Sequence, residues 1–133
     1  MDFNEKTSKL KYLKINQKTA KINHQKEHLI IDKSQLILGK NSIEIQFDGG
    51  ETSLNRNDDF LYTLLVPDRA STLFPCFDQP DLKATYRLTL QVPVEWTVLT
   101  AARIFGVYEI VIDNVSYMRY GFDESDKMST YLF

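Results

Sequence analysis

The chain has 133 residues, with 16 Lys or Arg against 18 Asp or Glu, so its formal net charge is −2. This length predicts one domain over residues 1–133 and excludes a large multidomain enzyme. The near-neutral charge gives no electrostatic case for a nucleic-acid or anionic-membrane partner. The longest apolar runs, such as residues 29–31 and 64–66, are far too short to span a bilayer, and no apolar signal segment follows Met1, so we expect a soluble protein of unknown compartment.

The first half of the chain carries short apolar clusters separated by turn-forming residues, which is typical of β-hairpins. The clearest predicted strand alternates Ile43, Ile45 and Phe47 with polar residues, so one face is buried and the other wet. The other strands predicted here are residues 10–15, a short run at Ala20 and Ile22, and residues 29–31.

The second half begins with residues 60–66, whose composition predicts a largely buried strand ended by Pro67. Three prolines within residues 67–82 predict an irregular connection that carries Phe74 and Phe77 inward. Further strands are predicted at residues 86–92 and 96–99, in a hairpin of residues 108–112 and 115–120, and from residue 129 onward. The whole pattern predicts an all-β, mostly antiparallel sheet or sandwich without long helices.

Residues 24–28 match H-x-x-E-H, the inverted zinc-peptidase pattern. That chemistry needs a helix, because only helical spacing brings His24 and His28 onto one metal while Glu27 reaches the bound water. Here Asn23 favours a turn, the window is wholly polar, and a β-branched run follows, so we expect a solvated hairpin loop. A small zinc peptidase using these three residues is kept as an alternative.

The single cysteine and two aspartates nearby have structural interpretations. Cys76 lies between apolar neighbours without an adjacent cation, so we expect a small buried hydrophobic residue rather than a nucleophile. Asp78 and Asp81 flank a proline and are expected to cap turns by accepting backbone N–H groups. Arg69 and Lys83 are the cations expected to neutralise them.

Residues 74–86, FPCFDQPDLKATY, resemble the FPCFD-E/Q-P…KA-T/R-F/Y signature of the aminopeptidase N family, which are gluzincin zinc metallopeptidases. In that family the signature lies in an N-terminal, saddle-shaped β domain. Residues 128–133, MSTYLF, resemble the strand that closes the same domain. The signature residues, to which the resemblance gives a structural role, are Phe74, Pro75, Cys76, Phe77, Asp78, Gln79, Pro80, Lys83 and Ala84.

The sequence departs from the family pattern in three places, and each departure predicts a property of this chain. The G-x-M-E-N loop and the H-E-x-x-H…E zinc site of the family's catalytic domain do not occur, so the resemblance implies zinc in the parent enzyme and no cofactor in this chain. Leu64 and Val66 stand where the family has the Gln or Glu that anchors the substrate's α-amino group, which puts strict amino-terminal recognition in question. The domain's first strands are expected to be missing, which leaves an open sheet edge for self-association.

The resemblance therefore implies a non-catalytic N-terminal β domain. It would pack on the catalytic domain of the parent peptidase and form one wall of the peptide-substrate cleft with Leu64, Val66 and Pro67. The alternative is a free-standing β-sandwich interaction module that binds peptides by strand addition.

Overall fold

The computed structural model describes residues 1–133 and is all-β and antiparallel, which confirms the predicted fold class. Four three-residue 3₁₀ helices, at Thr7–Lys9, Lys33–Gln35, Ala70–Thr72 and Thr130–Leu132, are its only helices. None has the length and apolar character that crossing a membrane requires. The strands are β1 (Leu10–Ile15), β2 (Lys18–Thr19), β3 (His24–Gln25), β4 (His28–Leu29), β5 (Ile43–Phe47), β6 (Leu54–Arg56), β7 (Leu61–Thr63), β8 (Arg87–Pro93), β9 (Ile104–Ile112) and β10 (Val115–Glu124).

The chain forms two compact units. The first unit comprises residues 1–82 and 130–132, and the second comprises residues 83–129 and Phe133. The first unit contains a three-stranded sheet of order β2-β1-β5 and the two-stranded ribbons β3-β4 and β6-β7. The second contains one three-stranded sheet of order β8-β10-β9.

The core of the first unit is built on β1. Leu10, Leu13 and Ile15 are buried there, and Phe3 and Leu29 complete the cluster. A register shift between Leu10 and Tyr12, where β1 pairs with β5, lets this strand bury residues that do not follow strict alternation. The β1–β2 connection is a two-residue turn, Asn16-Gln17, whose positive φ angles of 49° and 69° suit a tight hairpin.

The second unit confirms the predicted hairpin and extends it. β9 and β10 pair from Ile112 and Val115 outward, around an Asp113-Asn114 turn with φ angles of 49° and 61°. Both residue types tolerate the left-handed region, which is why this turn is visible in the sequence. The fully buried Phe122 on β10 is the largest core side chain of this unit.

Three strand predictions were wrong in extent or kind. Residues 96–99 form no strand, and residues 130–132 form a 3₁₀ helix in place of the closing strand. The Thr130 hydroxyl there donates to the Asp78 carboxylate, a tertiary contact that no local pattern announces. The run at Ala20 and Ile22 is also displaced, because the Asn16-Gln17 turn sets the returning strand β2 at Lys18–Thr19.

The prediction of a largely buried strand over residues 60–66 was wrong as well. Only Leu61–Thr63 is a strand, and it pairs with β6 alone. Of the three following apolar residues, Leu65 is buried at 1% exposure, whereas Leu64 and Val66 are exposed. Phe77 is likewise 54% exposed, so the irregular connection does not carry it inward.

Replacing Gly50 by Ala should destabilise the chain by about 3 kcal/mol, because a Cβ at this buried position would collide with the Thr72 carbonyl oxygen and the Glu5 carboxylate. Gly106→Ala is the matched control, since a Cβ at that position would have no atom within 4 Å, and it should stay within about 0.5 kcal/mol of the parent. Urea unfolding of both variants measures the difference. Equal stability of the two would contradict the close packing around Gly50.

Candidate functional site

An open groove of about 740 Å³ lies on the first unit. Its lining comes from the start of the chain, the β3–β4 hairpin, Thr52, residues 67–69 and 71–72, and residues 78–80. Of the residues that the sequence singled out, it gathers Pro67, Asp78, Gln79 and Pro80, together with Glu27 and His28. Leu64 and Val66 do not line it.

The H-x-x-E-H segment is a hairpin, as expected. His24 pairs with Leu29 and Gln25 with His28, around a Lys26-Glu27 turn whose φ angles are 46° and 69°. In such a ribbon, directly paired residues share a face and successive residues alternate, so the two imidazoles lie on opposite faces. Helical spacing would have placed them together.

Each histidine has its own partners. The His24 ring donates from Nε2 to the Phe3 carbonyl oxygen, and its Nδ1 is hydrogen-bonded to the Thr7 hydroxyl, both at 2.9 Å. The His28 ring donates from Nδ1 to the Asp2 carboxylate, also at 2.9 Å. The chain has no group of three or more His, Cys, Asp or Glu side chains that could hold a metal ion, and these residues do not fit a zinc site.

Asp2 joins the hairpin to the signature segment. Its N–H donates to the Cys76 carbonyl oxygen at 2.6 Å, and its own carbonyl oxygen accepts from the Cys76 N–H at 3.0 Å. On its other side, the Phe3 N–H donates to the Glu27 carbonyl oxygen at 2.7 Å. The start of the chain therefore forms isolated β-bridges with two segments more than 20 positions away, a role that no local sequence pattern indicates.

The Asp2 carboxylate is also hydrogen-bonded to both the signature segment and the hairpin. It accepts the Asp78 N–H at 3.2 Å and the His28 ring N–H at 2.9 Å. Burial is the largest single effect and raises the pKa of this carboxyl, but the hydrogen bonds from Asp78 and His28 and nearby positive charge outweigh it, so the pKa lies below its ordinary value. The ionised carboxylate is thus the form that holds one end of the groove together.

Asp78 is a buried carboxylate that caps a neighbouring turn, which confirms its sequence-based interpretation. It accepts the Ser71 N–H at 2.7 Å and the Thr130 hydroxyl at 2.8 Å. Its hydrogen-bond partners are neutral groups, so the expected neutralisation by Arg69 or Lys83 was wrong for this residue. Asp81 is exposed.

Cys76 is buried, as expected. Burial raises the pKa of its thiol to about 12, and the negative charges of Asp78 and Asp2 act in the same direction. Since the thiolate is the nucleophilic form, this cysteine is inert at neutral pH.

An apolar ridge runs along the first unit beside β7. Leu64 and Val66 are 49% and 55% exposed, and the other members of the ridge are Phe60 and Tyr62, whose ring centroids are 5.8 Å apart. The Leu64 N–H donates to the Ser53 carbonyl oxygen at 2.9 Å, which ties the backbone down while its side chain stays in solvent. Buried Leu65 anchors the same segment from below. The ridge is therefore an apolar surface whose backbone is held in place by a hydrogen bond and by a buried side chain.

Comparison with known proteins gives one family. A family model described as Peptidase M1 N-terminal domain matches residues 2–132. Aminopeptidase Ey of Gallus gallus is 36% identical over 67 residues, 50% of this chain and 7% of its own length. Aminopeptidase M1 of Arabidopsis thaliana is 40% identical over 70 residues, 53% of this chain and 8% of its own. Leucyl aminopeptidase of Saccharolobus solfataricus is 27% identical over 145 aligned residues, 99% of this chain and 18% of its own. The chain thus spans less than a fifth of each of these relatives.

Asp78→Ala should cost about 3 kcal/mol of unfolding free energy, because it leaves the buried Ser71 N–H without an acceptor and removes a charge-assisted bond. Asp78→Asn keeps an acceptor for that N–H and should cost about 1 kcal/mol. The exposed signature carboxylate serves as control, since Asp81→Ala should change stability by less than about 0.5 kcal/mol. Thermal and urea unfolding measure all three, and the reverse order of losses would contradict the capping role of Asp78.

The thiol of Cys76 should react with iodoacetamide at pH 8 about a thousandfold more slowly in the folded chain than in urea, because a pKa of about 12 leaves almost no thiolate. Below that pKa the folded-state rate should rise about tenfold per pH unit. The unfolded chain, with a thiol pKa of about 8.5, should level off above pH 9 and is the control. A folded-state rate that levels off at the same pH would show that alkylation proceeds through unfolding.

Proposed function

The chain belongs to the Peptidase M1 N-terminal domain family, and from that membership we propose that it serves as the non-catalytic N-terminal β domain of an aminopeptidase N-like zinc metallopeptidase. In this role it packs on a catalytic domain and forms one wall of the substrate cleft. The zinc ion and the groups that cleave the peptide bond belong to that catalytic domain. This chain contributes the surface that contacts the catalytic domain and that forms part of the cleft wall.

The apolar ridge is the observation that carries the proposal. Exposed apolar residues scattered singly need no explanation, but a contiguous ordered patch on a soluble surface marks an interaction site. Here Leu64, Val66 and Tyr62 follow one another at two-residue spacing on a segment tied down by the Leu64 hydrogen bond and by buried Leu65. Covering such side chains by a second domain gains about 25 cal/mol for each Å² of apolar surface removed from water.

The groove supports the proposed cleft wall at Pro67. It brings Pro67 together with Asp78, Gln79 and Pro80 of the signature, so the segment after the ridge and the signature face the same open space. Asp78 uses its carboxylate to hold Ser71 and Thr130. In the proposed enzyme this carboxylate therefore shapes the wall and does not bind substrate.

Leu64 and Val66 bear on the specificity of the proposed enzyme. An aliphatic side chain has no acceptor for the N–H groups of a substrate's α-ammonium. Recognition of the free amino group then rests on the catalytic domain, and the wall made by this chain offers apolar contact to the first substrate side chain.

A chimera tests the proposal. Residues 1–133 replace the matching segment of the leucyl aminopeptidase of Saccharolobus solfataricus, which aligns with 99% of this chain. The chimera should bind zinc and hydrolyse leucine p-nitroanilide. The double substitution Leu64→Asp and Val66→Asp should lower kcat/KM by at least about tenfold, because two carboxylates cannot be desolvated at an apolar interface without a large cost.

Leu38→Asp is the matched control in the same unit, since Leu38 is a fully exposed leucine outside the ridge, and it should leave kcat/KM unchanged. The isolated 133-residue chain, assayed beside the chimera, should show no hydrolysis. Equal activity of the ridge variant and the Leu38 variant would contradict the packing role. Turnover by the isolated chain that a chelator abolishes would contradict its non-catalytic role.

A further inference from the structure

The last helical segment of the chain, Thr130–Leu132, belongs to the first unit, although residues 83–129 build the second. The half-buried Thr130 donates its hydroxyl to Oδ1 of Asp78 at 2.8 Å. Asp78 is one of the signature residues that line the groove. A side-chain hydrogen bond therefore joins this late segment to the wall of the groove.

The Asp78 carboxylate uses its two oxygens for two different segments. Oδ1 accepts from Thr130, and Oδ2 accepts the Ser71 N–H at 2.7 Å. The side chain is buried, and the two oxygens of a carboxylate lie in one rigid plane, so neither oxygen can move without the other. A displacement of Thr130 that the carboxylate followed would therefore strain its bond to Ser71.

The connection continues along the groove from Ser71. The Ser71 carbonyl oxygen accepts the N–H of Asn4 at 2.8 Å, and both residues line the groove. The next lining residue, Thr72, is hydrogen-bonded through its hydroxyl to the buried Ser53 hydroxyl at 2.8 Å. The position of Asp78 thus bears on several residues of the wall through a continuous set of hydrogen bonds.

We propose that Asp78 and Thr130 are positioning residues that fix the groove wall relative to the catalytic domain of the proposed enzyme. This inference rests on the proposed function, in which a catalytic domain follows this N-terminal domain along the polypeptide. Residues 130–132 then lead toward that domain. The hydrogen bond from Thr130 to Asp78 holds this connecting segment against the wall, and neither side chain contacts the peptide.

Loss of the Thr130 hydroxyl lets the wall populate displaced positions beside the native one. A ligand that binds only one of two arrangements has its apparent affinity reduced by the fraction in which the competent one is populated. One net hydrogen bond corresponds to a change of up to about fivefold in such an equilibrium. The peptide should therefore bind more weakly, while the reaction of the bound peptide proceeds as before.

The kinetic test uses the chimera with the leucyl aminopeptidase. Thr130→Val removes the hydroxyl and keeps the side-chain shape, so it should raise KM about two- to fivefold with little change in kcat. Thr130→Ser, which brings the hydroxyl back, should restore the KM. Thr89→Val is the matched control, because Thr89 is an exposed residue of β8, and it should leave KM unchanged.

A variant that is merely less stable gives a different result. Partial unfolding reduces the concentration of active enzyme, so it lowers the apparent kcat and leaves KM unchanged. An unchanged KM for Thr130→Val, or an equal rise for Thr89→Val, would overturn the proposal.

Hydrogen exchange of the isolated 133-residue chain tests the coupling without any catalytic domain. The Ser71 amide, which donates to Asp78, should exchange up to about fivefold faster in Thr130→Val than in the unmodified chain. The Ala20 amide is the internal reference, because it is bonded to the Leu13 carbonyl oxygen at 3.0 Å in the same unit, and its rate should not change.

Equal acceleration of the Ser71 and Ala20 amides, or of neither, would overturn the proposal. The two measurements also separate this proposal from the proposed function. An inactive unmodified chimera would contradict the proposed function, whereas the exchange rates would still decide whether Thr130 is coupled to the groove wall through Asp78.

Discussion

The pairing of Asp2 with Cys76 is the contact on which the candidate site depends. The segment around Cys76 is rich in proline, lacks N–H donors at those positions and cannot build a regular ladder of its own. Its buried backbone groups must therefore find partners elsewhere, and the start of the chain supplies them through two hydrogen bonds. The Asp2 carboxylate extends the same connection to Asp78 and His28. The hairpin and the signature segment face one groove because Asp2 forms a β-bridge to each of them.

The contrast between His24 and His28 shows that a motif has chemical meaning only in its local structure. The spacing of these residues matches a helical zinc site, yet the turn at Lys26-Glu27 makes a ribbon that turns the two rings to opposite faces. His24 then holds the start of the chain through the Phe3 carbonyl oxygen, while His28 holds it through the Asp2 carboxylate. Residues that would bind a metal on a helix here stabilise a β structure through hydrogen bonds.

The two units present two different kinds of surface. The first exposes apolar side chains such as Leu64 and Val66, while the backbone N–H of Leu64 is hydrogen-bonded within the chain. Burial of these side chains against a partner would therefore gain free energy mainly through the hydrophobic effect. The second exposes the edge of β9, where backbone donors and acceptors as well as side chains lack partners. A surface of the first kind fits the shape of another domain, whereas a surface of the second kind fits another strand.

By itself the sequence determined the features that arise from neighbouring residues. The hairpins at Asn16-Gln17 and Asp113-Asn114, the alternation of β5 and the strand character of β8 follow from turn chemistry and side-chain period, and the signature string identifies the family. Only the tertiary structure decided which apolar residues stay exposed and that Asp2 connects the segments that line the groove. It also decided that residues 130–132 form a 3₁₀ helix, in which Thr130 donates to Asp78, and not a strand. These outcomes rest on contacts between residues some 50 to 75 positions apart, such as Thr130 with Asp78 and Asp2 with Cys76. Local propensity and periodicity carry no information about such contacts, because they depend on which distant segment satisfies a buried polar group or covers an apolar side chain.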